Sequence, residues 1–415
     1  MTENTIEAEK ALLVSLDTGD FDVESSLKEL QELTKSAGAD PVLTIVQKRA
    51  VPKSSTCIGS GMVEQVAEVC RRHEIDVIIF DRELTPTQIR NLEKECDVRV
   101  IDRTILILDI FALRAQSSEG KLQVELAQLK YILPRLTGKG TALSRLGGGI
   151  GTRGPGETKL ETDRRHIHRK IESLKAQLRK VEANRQEMSK RRRKENVVTV
   201  ALMGYTNAGK STLMNRLTQA GVLAEDKLFA TLDPTARALK LPSGKSVVLI
   251  DTVGLIRRLP HHLVEAFKST LEQAVTADIV LNVCDASNEE LKEHIEVTND
   301  ILQSMGAGER PVLTVLNKWD IAKQNNMPVN VMQAVRISAA TGEGIEELLL
   351  AIEENLPEKT VKMRLLLPFS KSGLAADLRE EGAVVQEEYV ENGLLIVANV
   401  PQRLISAVER FISTD

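Results

Sequence analysis

The chain has 415 residues, a length that favours about two to four domains because one hydrophobic core seldom supports so many residues. Its residues are 42% hydrophobic and 27% charged, which is typical of globular proteins, and no apolar run reaches the roughly 20 residues of a membrane-spanning helix. Without an export signal at the N-terminus, we expect a cytoplasmic protein with no stable membrane association. The four scattered cysteines argue against a disulfide framework and a zinc site.

The formal net charge of −4 is unevenly distributed along the chain. Between Arg135 and Lys194 there are eighteen Lys and Arg against six Asp and Glu, so all other residues together carry a net charge of −16. One strongly cationic segment therefore interrupts an otherwise acidic chain.

Residues 1–114 alternate short aliphatic runs with amphipathic stretches. Strands are predicted at ALLVSL, VLTIVQ, DVIIF and VRVID, and helices at Glu24–Lys35, Met62–Arg72 and Thr87–Cys96. This alternation predicts a small α/β domain with a mainly parallel sheet. The short GSG at Gly59–Gly61 is interpreted as a structural turn rather than a ligand loop.

Residues 115–195 contain two helical patterns, each with one apolar stripe at helical spacing. The stripes consist of Leu122, Leu126, Leu129 and Leu133 in the first helix, and of Ile167, Ile171, Leu174, Leu178 and Val181 in the second. Two such helices satisfy one another as an antiparallel hairpin. Between them, Gly147–Gly156 holds six glycines in ten residues and is predicted to form the hairpin tip.

Residues 196–358 begin with the apolar run VVTVALMG and continue in βα units, which predicts a doubly wound α/β domain. Residues 359–415 give the order strand, helix (Lys371–Glu381), strand, strand, helix, which predicts a small α+β domain. The expected fold class is multidomain α/β, with a P-loop domain between these smaller units.

The stretch GYTNAGKS at Gly204–Ser211 follows a predicted strand, precedes a helix and fits G-x-x-x-x-G-K-[ST], the pattern of a phosphate cradle. Backbone N–H groups there must converge on phosphates, Lys210 must reach the β- and γ-oxygens, and Ser211 must ligate Mg²⁺. The candidate nucleotide contacts in this loop are Gly204, Tyr205, Thr206, Asn207, Ala208, Gly209, Lys210, Ser211 and Thr212.

Three later motifs at predicted strand ends indicate guanine nucleotides. They supply the candidate contacts Asp251, Thr252, Val253 and Gly254; Asn317, Lys318 and Asp320; and Ser338, Ala339 and Ala340. Asp251 can hold Mg²⁺ through water, and the Gly254 N–H can meet the γ-phosphate. The Asp320 carboxylate can accept two N–H groups from a guanine edge, and backbone amides near Ser338 can meet guanine O6. The ordered set predicts GTP hydrolysis and resembles the translation-factor-like GTPases.

The loop LFATLDPT is expected to close on Mg²⁺ and the γ-phosphate, with Phe229, Ala230 and Thr231 near the nucleotide. Thr231 is the first candidate for the metal-ligating hydroxyl and Thr235 the second. With Lys210 and Gly254, Thr231 completes the candidate catalytic set.

Leu255 follows Gly254 where Ras-like enzymes place the glutamine that orients water, so we predict slow hydrolysis that a partner accelerates. Asn207 occupies the position where potassium-activated GTPases use an asparagine to bind a monovalent cation. A purely structural role, in which Asn207 only shapes the loop, is an equally good interpretation.

The cationic segment is interpreted as a polyanion-binding arm, because both apolar stripes are needed for packing and leave no membrane face. A glycine-rich tip suits contact with folded RNA through shape and phosphates. The RNA-contact candidates are Arg145, Arg153, Lys159, Arg164, Arg165 and Arg169. A second nucleotide cradle at this tip is disfavoured, since no G-K-[ST] follows it and no apolar strand precedes it.

The stretch GGGIGTRGPGETKLETDRR, joined to GYTNAGKST, FATLDPT, DTVGLI, NKWD and ISAATGEGI, resembles the HflX family of ribosome-associated GTPases, from about Lys121 to Leu356. The resemblance implies binding to the large ribosomal subunit and its RNA, with the tip near the peptidyl-transferase region. It also implies GTP-dependent splitting of stalled or idle ribosomes under stress. Leu255 departs from the phenylalanine of many members but remains apolar.

Two other functions remain open at this point: large-subunit assembly, and a GTP-switched module that silences the subunit without splitting. We expect a monomer.

Overall fold

The computed structural model describes residues 8–136, 159–194, 197–218, 228–229, 235–258, 275–306, 310–329, 331–357, 360–380 and 383–413. These residues form three β-sheets of four, six and three strands, with helices packed on them. The multidomain α/β fold predicted from the sequence is confirmed. Within the described residues, no helix is long and apolar enough to cross a membrane.

The N-terminal unit is a parallel α/β layer structure. Its elements are β1 (Lys10–Asp17), α1 (Val23–Ser36), β2 (Asp40–Lys48), α2 (Ser60–His73), β3 (Val77–Phe80), α3 (Pro86–Cys96), β4 (Arg99–Asp102) and α4 (Arg103–Arg114). The strand order is β2-β1-β3-β4, and every pairing is parallel. The predicted strands and helices are confirmed, and α4 is an additional helix.

Both faces of this sheet are covered, as a parallel sheet requires. Side chains of β1 alternate between the two sides: Leu13 packs with α1 and α4, and Leu12 packs with α2 and α3. The cysteines Cys57, Cys70 and Cys96 are buried free thiols on the second side. Burial raises the pKa of Cys70 and that of Cys96 to about 11, so these thiols serve as core residues.

The predicted pair of helices is present as α5 (Ser118–Ile132) and α6 (Lys159–Lys194). The two leucine- and isoleucine-rich stripes pack on one another. This cluster contains Leu122, Leu126, Leu129, Leu133, Leu136, Ile167, Ile171, Leu174 and Leu178. The glycine-rich tip, Gly147–Gly156, lies outside the described residues.

The prediction of a single apolar stripe is wrong for α5. A second face of this helix buries Val124, Ala127 and Tyr131 in the core beside α4. The Tyr131 hydroxyl donates to the buried Asp102 carboxylate, which also accepts the N–H groups of Leu84 and Ile105, each at 3.0 Å. These contacts attach the C-terminal end of α5, and with it the helical pair, to the N-terminal sheet.

The next unit is the predicted doubly wound domain. It comprises β5 (Thr199–Met203), α7 (Lys210–Thr218), β6 (Thr235–Lys240), β7 (Ser246–Asp251), β8 (Ile279–Asp285), α8 (Leu291–Ser304), β9 (Val312–Asn317), α9 (Trp319–Gln324), β10 (Val335–Arg336) and α10 (Ile345–Glu354). The strand order is β10-β9-β8-β5-β7-β6, and only the pairing of β6 with β7 is antiparallel.

The C-terminal unit is the predicted small α+β structure. It contains β11 (Thr360–Leu367), α11 (Ser372–Glu380), β12 (Val384–Val390), β13 (Gly393–Pro401) and α12 (Gln402–Val408). The sheet order is β11-β13-β12, with antiparallel pairs.

One hydrophobic cluster runs from the N-terminal unit into the P-loop domain. It joins Leu30 and Phe111 of the first unit to Met203, Leu255 and Phe229 of the second. The two units therefore share a core at the side of the phosphate cradle.

Candidate functional site

The predicted nucleotide motifs meet at one edge of the six-stranded sheet. The P-loop follows β5, the DTVG motif ends β7 and the NKWD motif ends β9. Because these neighbouring strands are parallel, their carboxyl ends lie at the same edge, where doubly wound folds bind ligands.

The P-loop is tightly packed against its neighbours. Gly209 has a φ of +88°, and a Cβ there would lie 2.2 Å from the Asn317 Nδ2 atom, so only glycine fits. The same Asn317 amide donates to the Ala208 carbonyl at 2.8 Å. Asn317 thereby ties the phosphate cradle to the third motif.

Lys210 lies beneath the P-loop and is 6% exposed. Its Nζ donates to the carbonyls of Gly204 at 3.0 Å and Tyr205 at 2.7 Å. Burial lowers the pKa of Lys210 to about 8, although the nearby Asp251 opposes this shift. The ammonium is therefore placed for an anion whose charge would restore its usual pKa.

Ser211 and Asp251, the two residues expected to hold magnesium, lie next to one another. The Ser211 Oγ donates to the Asp251 Oδ2 at 3.0 Å, and Asp251 is fully buried. One hydroxyl and one carboxylate, completed by phosphate oxygens and water, suit Mg²⁺. The described residues contain no group of three His, Cys, Asp or Glu side chains that could hold a metal by themselves.

Thr235, the second candidate for the metal-ligating hydroxyl, lies beside Asp251. Thr235 pairs with Asp251 across β6 and β7, and its buried Oγ1 has no hydrogen-bond partner within the described ranges. Thr231 and Ala230 lie outside the described residues.

The DTVG motif is held directly against the P-loop. The Leu255 N–H donates to the Gly204 carbonyl at 3.1 Å, and the Thr206 N–H donates to the Leu255 carbonyl at 2.8 Å. A Cβ on Gly254 would lie 2.6 Å from Thr206 Cγ2. The Leu255 side chain is apolar and buried in the shared core, so it offers no donor or acceptor that could orient a water molecule.

The guanine end of the site carries an unsatisfied acceptor. Asp320 Oδ1 is buried and lacks a hydrogen-bond partner in the part of the chain that the structure describes. Asn317 is 2% exposed, and its Oδ1 accepts the Ala339 N–H at 2.9 Å. A buried, unpaired carboxylate oxygen is costly unless a ligand donor meets it, which fits the N–H edge of guanine.

The backbone amides of Ser338 and Ala339, the candidate contacts for guanine O6, have acceptors within the protein. The Ser338 N–H donates to the Glu343 carbonyl at 2.9 Å, and the Ala339 N–H is taken by Asn317. Within the described residues, the Ala340 N–H has no such acceptor.

Phe229, a candidate nucleotide contact, packs in the hydrophobic core that the two units share. It is 2% exposed, and its ring packs edge-on against Phe111 of α4, with 4.6 Å between ring centroids. The preceding Leu228 N–H donates to the Ser36 Oγ at 3.1 Å. Burial of this aromatic ring stabilises the contact between the two units.

A buried polar network that the sequence did not indicate joins the P-loop to α1. The Tyr205 hydroxyl donates to Glu29 Oε1 at 2.5 Å and accepts the Arg257 N–H at 2.7 Å. Burial and the Glu29 charge both raise the pKa of Tyr205, so this hydroxyl stays protonated. The Tyr205 ring also stacks on His294 at 3.7 Å.

Two arginines extend the network beneath α1. Arg103 donates to Glu29 Oε2 at 2.6 Å and to Asp81 Oδ1 at 2.9 Å, and Arg258 donates to Asp81 Oδ2 at 2.9 Å. Arg258 follows the DTVG motif, whereas the other three residues belong to the N-terminal unit. The nucleotide loops are therefore hydrogen-bonded to the unit that carries the helical pair.

Asn207 has a φ of +60° and is exposed. Asparagine tolerates this left-handed conformation better than most residues, which gives its presence a structural reason apart from cation binding.

Of the six RNA-contact candidates, four lie on α6 within the described residues. Arg164, Arg165 and Arg169 are exposed on α6, and Lys159 is its first residue. Arg145 and Arg153 lie outside the described residues.

Comparison with known proteins matches three consecutive family models. "GTP-binding GTPase N-terminal" covers residues 24–112, "GTP-binding GTPase Middle Region" covers 114–192, and "50S ribosome-binding GTPase" covers 199–318.

Among individual proteins, GTPase HflX of Lacrimispora saccharolytica is 48% identical over 96% of this chain and 95% of its own length. GTPase HflX of Escherichia coli K12 is 44% identical over 93% and 92%. A solved GTP-binding protein from Sulfolobus solfataricus in complex with GDP is 25% identical, covers 83% of this chain and 98% of its own, and superposes with a TM-score of 0.43. Relatives that are 44% and 48% identical over nearly the full length of both chains identify this chain as a GTP-hydrolysing member of the HflX family of GTPases.

Proposed function

We propose that this GTPase binds the large ribosomal subunit in its GTP form and promotes dissociation of stalled or idle ribosomes under stress, leaving after hydrolysis. The observation that carries the proposal is the Tyr205–Glu29–Arg257 network, which joins the nucleotide loops to the unit bearing the basic helical pair. A change at the γ-phosphate can thereby reach the arm. The matching model's description as a 50S ribosome-binding GTPase supports the choice of partner.

The roles proposed for the site follow the geometry of its three loops. Lys210 contacts the β- and γ-phosphates, and the Gly254 N–H faces the γ-phosphate. Ser211 and Asp251 would hold Mg²⁺, Asp251 through water, and Thr231 or Thr235 would supply the further hydroxyl. Mg²⁺ neutralises charge on the phosphates when bound.

Hydrolysis is proposed to be slow until the ribosome orders the loops around the nucleotide. Leu255 faces the core instead of the nucleotide, so this position supplies no water-orienting group. A potassium ion beside Asn207 would add positive charge at the phosphates. The potassium site is tested by comparing the rate of GTP turnover in potassium with the rate in sodium. Equal rates would contradict it.

The arm is proposed to contact ribosomal RNA. The exposed residues Arg164, Arg165 and Arg169 lie on α6, which ends in a further run of basic residues. Because several cations would contact phosphates, binding to RNA should weaken steeply as the salt concentration rises. We also propose that the functional units of the chain end at residues 114, 195 and 358, and that the protein is a monomer.

Sedimentation of intact ribosomes with the protein separates this function from its two alternatives. With GTP or a non-hydrolysable analogue, the splitting function predicts free subunits and protein on the large one. Stable binding without free subunits would favour the silencing module. Preference for subunit precursors over mature ribosomes would favour a role in assembly.

A shortened tip provides the matched variant. Removing residues within Gly147–Gly156 should abolish dissociation while GTP affinity stays at the wild-type value. Loss of GTP affinity in that variant would contradict the assignment of the tip to the ribosome.

A further inference from the structure

Arg216 crosses from the phosphate-binding helix to the guanine loop. It lies on α7, the helix that begins with Lys210 and Ser211. Its Nε donates to the Ala339 carbonyl at 3.0 Å, and its Nη2 donates to the Ala340 carbonyl. One guanidinium thus holds two consecutive peptide groups, which its planar fork of donors is suited to do.

Fixing a carbonyl also fixes the amide on the other side of the same peptide bond. In a planar trans peptide, the C=O of one residue and the N–H of the next point in opposite directions. The bond from Arg216 to the Ala339 carbonyl therefore sets the direction of the Ala340 N–H, which points away from Arg216.

The neighbouring amides in this loop are already engaged. The Ser338 N–H donates to Glu343, the Ala339 N–H to Asn317 Oδ1, and the Thr341 N–H to the Ser338 Oγ at 3.1 Å. Within the part of the chain that the structure describes, the Ala340 N–H has no acceptor of this kind. It is the amide left for a ligand.

We propose that Arg216 is a specificity-positioning residue that aims the Ala340 N–H at the 6-oxygen of guanine. A 6-oxo purine presents an acceptor to this amide, whereas adenine presents an amino donor at the same place. Asp320 reads the other N–H groups of the base independently. The inference rests on the guanine site proposed above and adds to it a residue outside the nucleotide-binding motifs.

The test replaces Arg216 with Gln and measures competition against labelled GDP. Three diphosphates are compared: GDP, inosine diphosphate, which keeps the 6-oxygen, and 2-aminopurine riboside diphosphate, which lacks it. Loss of one oriented hydrogen bond should weaken GDP and inosine diphosphate by about fivefold to tenfold. Binding of the 2-aminopurine nucleotide should stay within about twofold, since it never used this amide. Arg216→Lys should fall between wild type and Gln, because one ammonium can hold one carbonyl.

Arg237→Gln is the matched control, since Arg237 is an exposed arginine on β6 of the same domain. Equal weakening of all three nucleotides by Arg216→Gln, or no weakening, would overturn the inference, because a merely structural role does not discriminate at the 6-position. Asp320→Asn separates the two levels of the proposal. If that variant keeps full guanine preference, the guanine site itself is misplaced, whatever Arg216 does.

Discussion

Proton uptake at Lys210 should accompany nucleotide binding in mildly alkaline solution. Without a nucleotide, burial lowers the pKa of Lys210 from its usual 10.5 to about 8. Phosphates against its Nζ favour the charged form and should return the pKa to its usual range. At pH 8 about half of the Lys210 side chains are neutral in the free protein, so GDP binding should take up about half a proton.

The affinity should follow the same linkage. Around and above pH 8 the bound state holds more protons than the free state, so affinity falls as pH rises. For a free pKa of about 8, the dissociation constant for GDP should increase about tenfold between pH 7 and pH 9. It should change little between pH 6.5 and pH 7.5, where Lys210 is charged in both states.

Titration calorimetry in buffers of different ionisation enthalpy measures the proton count directly. Work at pH 7.5 to 8.5 keeps the nucleotide phosphates ionised, because their last pKa lies near about 6. Uptake close to zero at pH 8, with an affinity that does not fall towards pH 9, would refute the reasoning. It would mean that Lys210 is charged before nucleotide arrives.

Three further predictions concern the base, the unit interface and the arm. Asp320→Asn should weaken GTP and favour xanthine nucleotides in competition binding, because one of two acceptors becomes a donor; unchanged guanine preference would contradict the assignment. Tyr205→Phe should destabilise the protein by about 1.5–3 kcal/mol in thermal unfolding, since it removes a hydrogen bond to the buried Glu29 carboxylate; a shift indistinguishable from zero would count against the network. Leu126→Ala should cost about 2–5 kcal/mol by opening a cavity between α5 and α6, whereas Leu113→Ala, at a leucine that is 66% exposed, should cost under about 0.5 kcal/mol. Equal effects of the two leucine variants would place the packing of α5 elsewhere.

The sequence predicted those features whose physics is local. Alternating aliphatic and amphipathic runs predicted β1 to β4, because strand and helix periodicities differ over a few residues. The P-loop and its companion motifs could be located because glycine and lysine spacing within one loop dictates the phosphate geometry.

Features that depend on distant partners were not predictable from the sequence. The motif around Phe229 gave no sign that its ring packs against Phe111, a residue of another unit. The second buried face of α5 was not predicted from the sequence, because a helix between two layers carries apolar residues on two sides. Contacts such as Tyr205 to Glu29 and Arg216 to Ala339 join residues over 100 positions apart, and no local pattern marks them.

Light scattering of intact ribosomes is the most direct test of whether the GTP site acts on ribosomes through the basic arm. Wild-type protein with GTP should lower the scattered intensity as subunits separate, and protein with GDP should not. The tip-shortened variant should bind GTP yet leave the intensity unchanged. An equal fall in intensity with the shortened tip, or no fall with wild-type protein and GTP, would contradict the account.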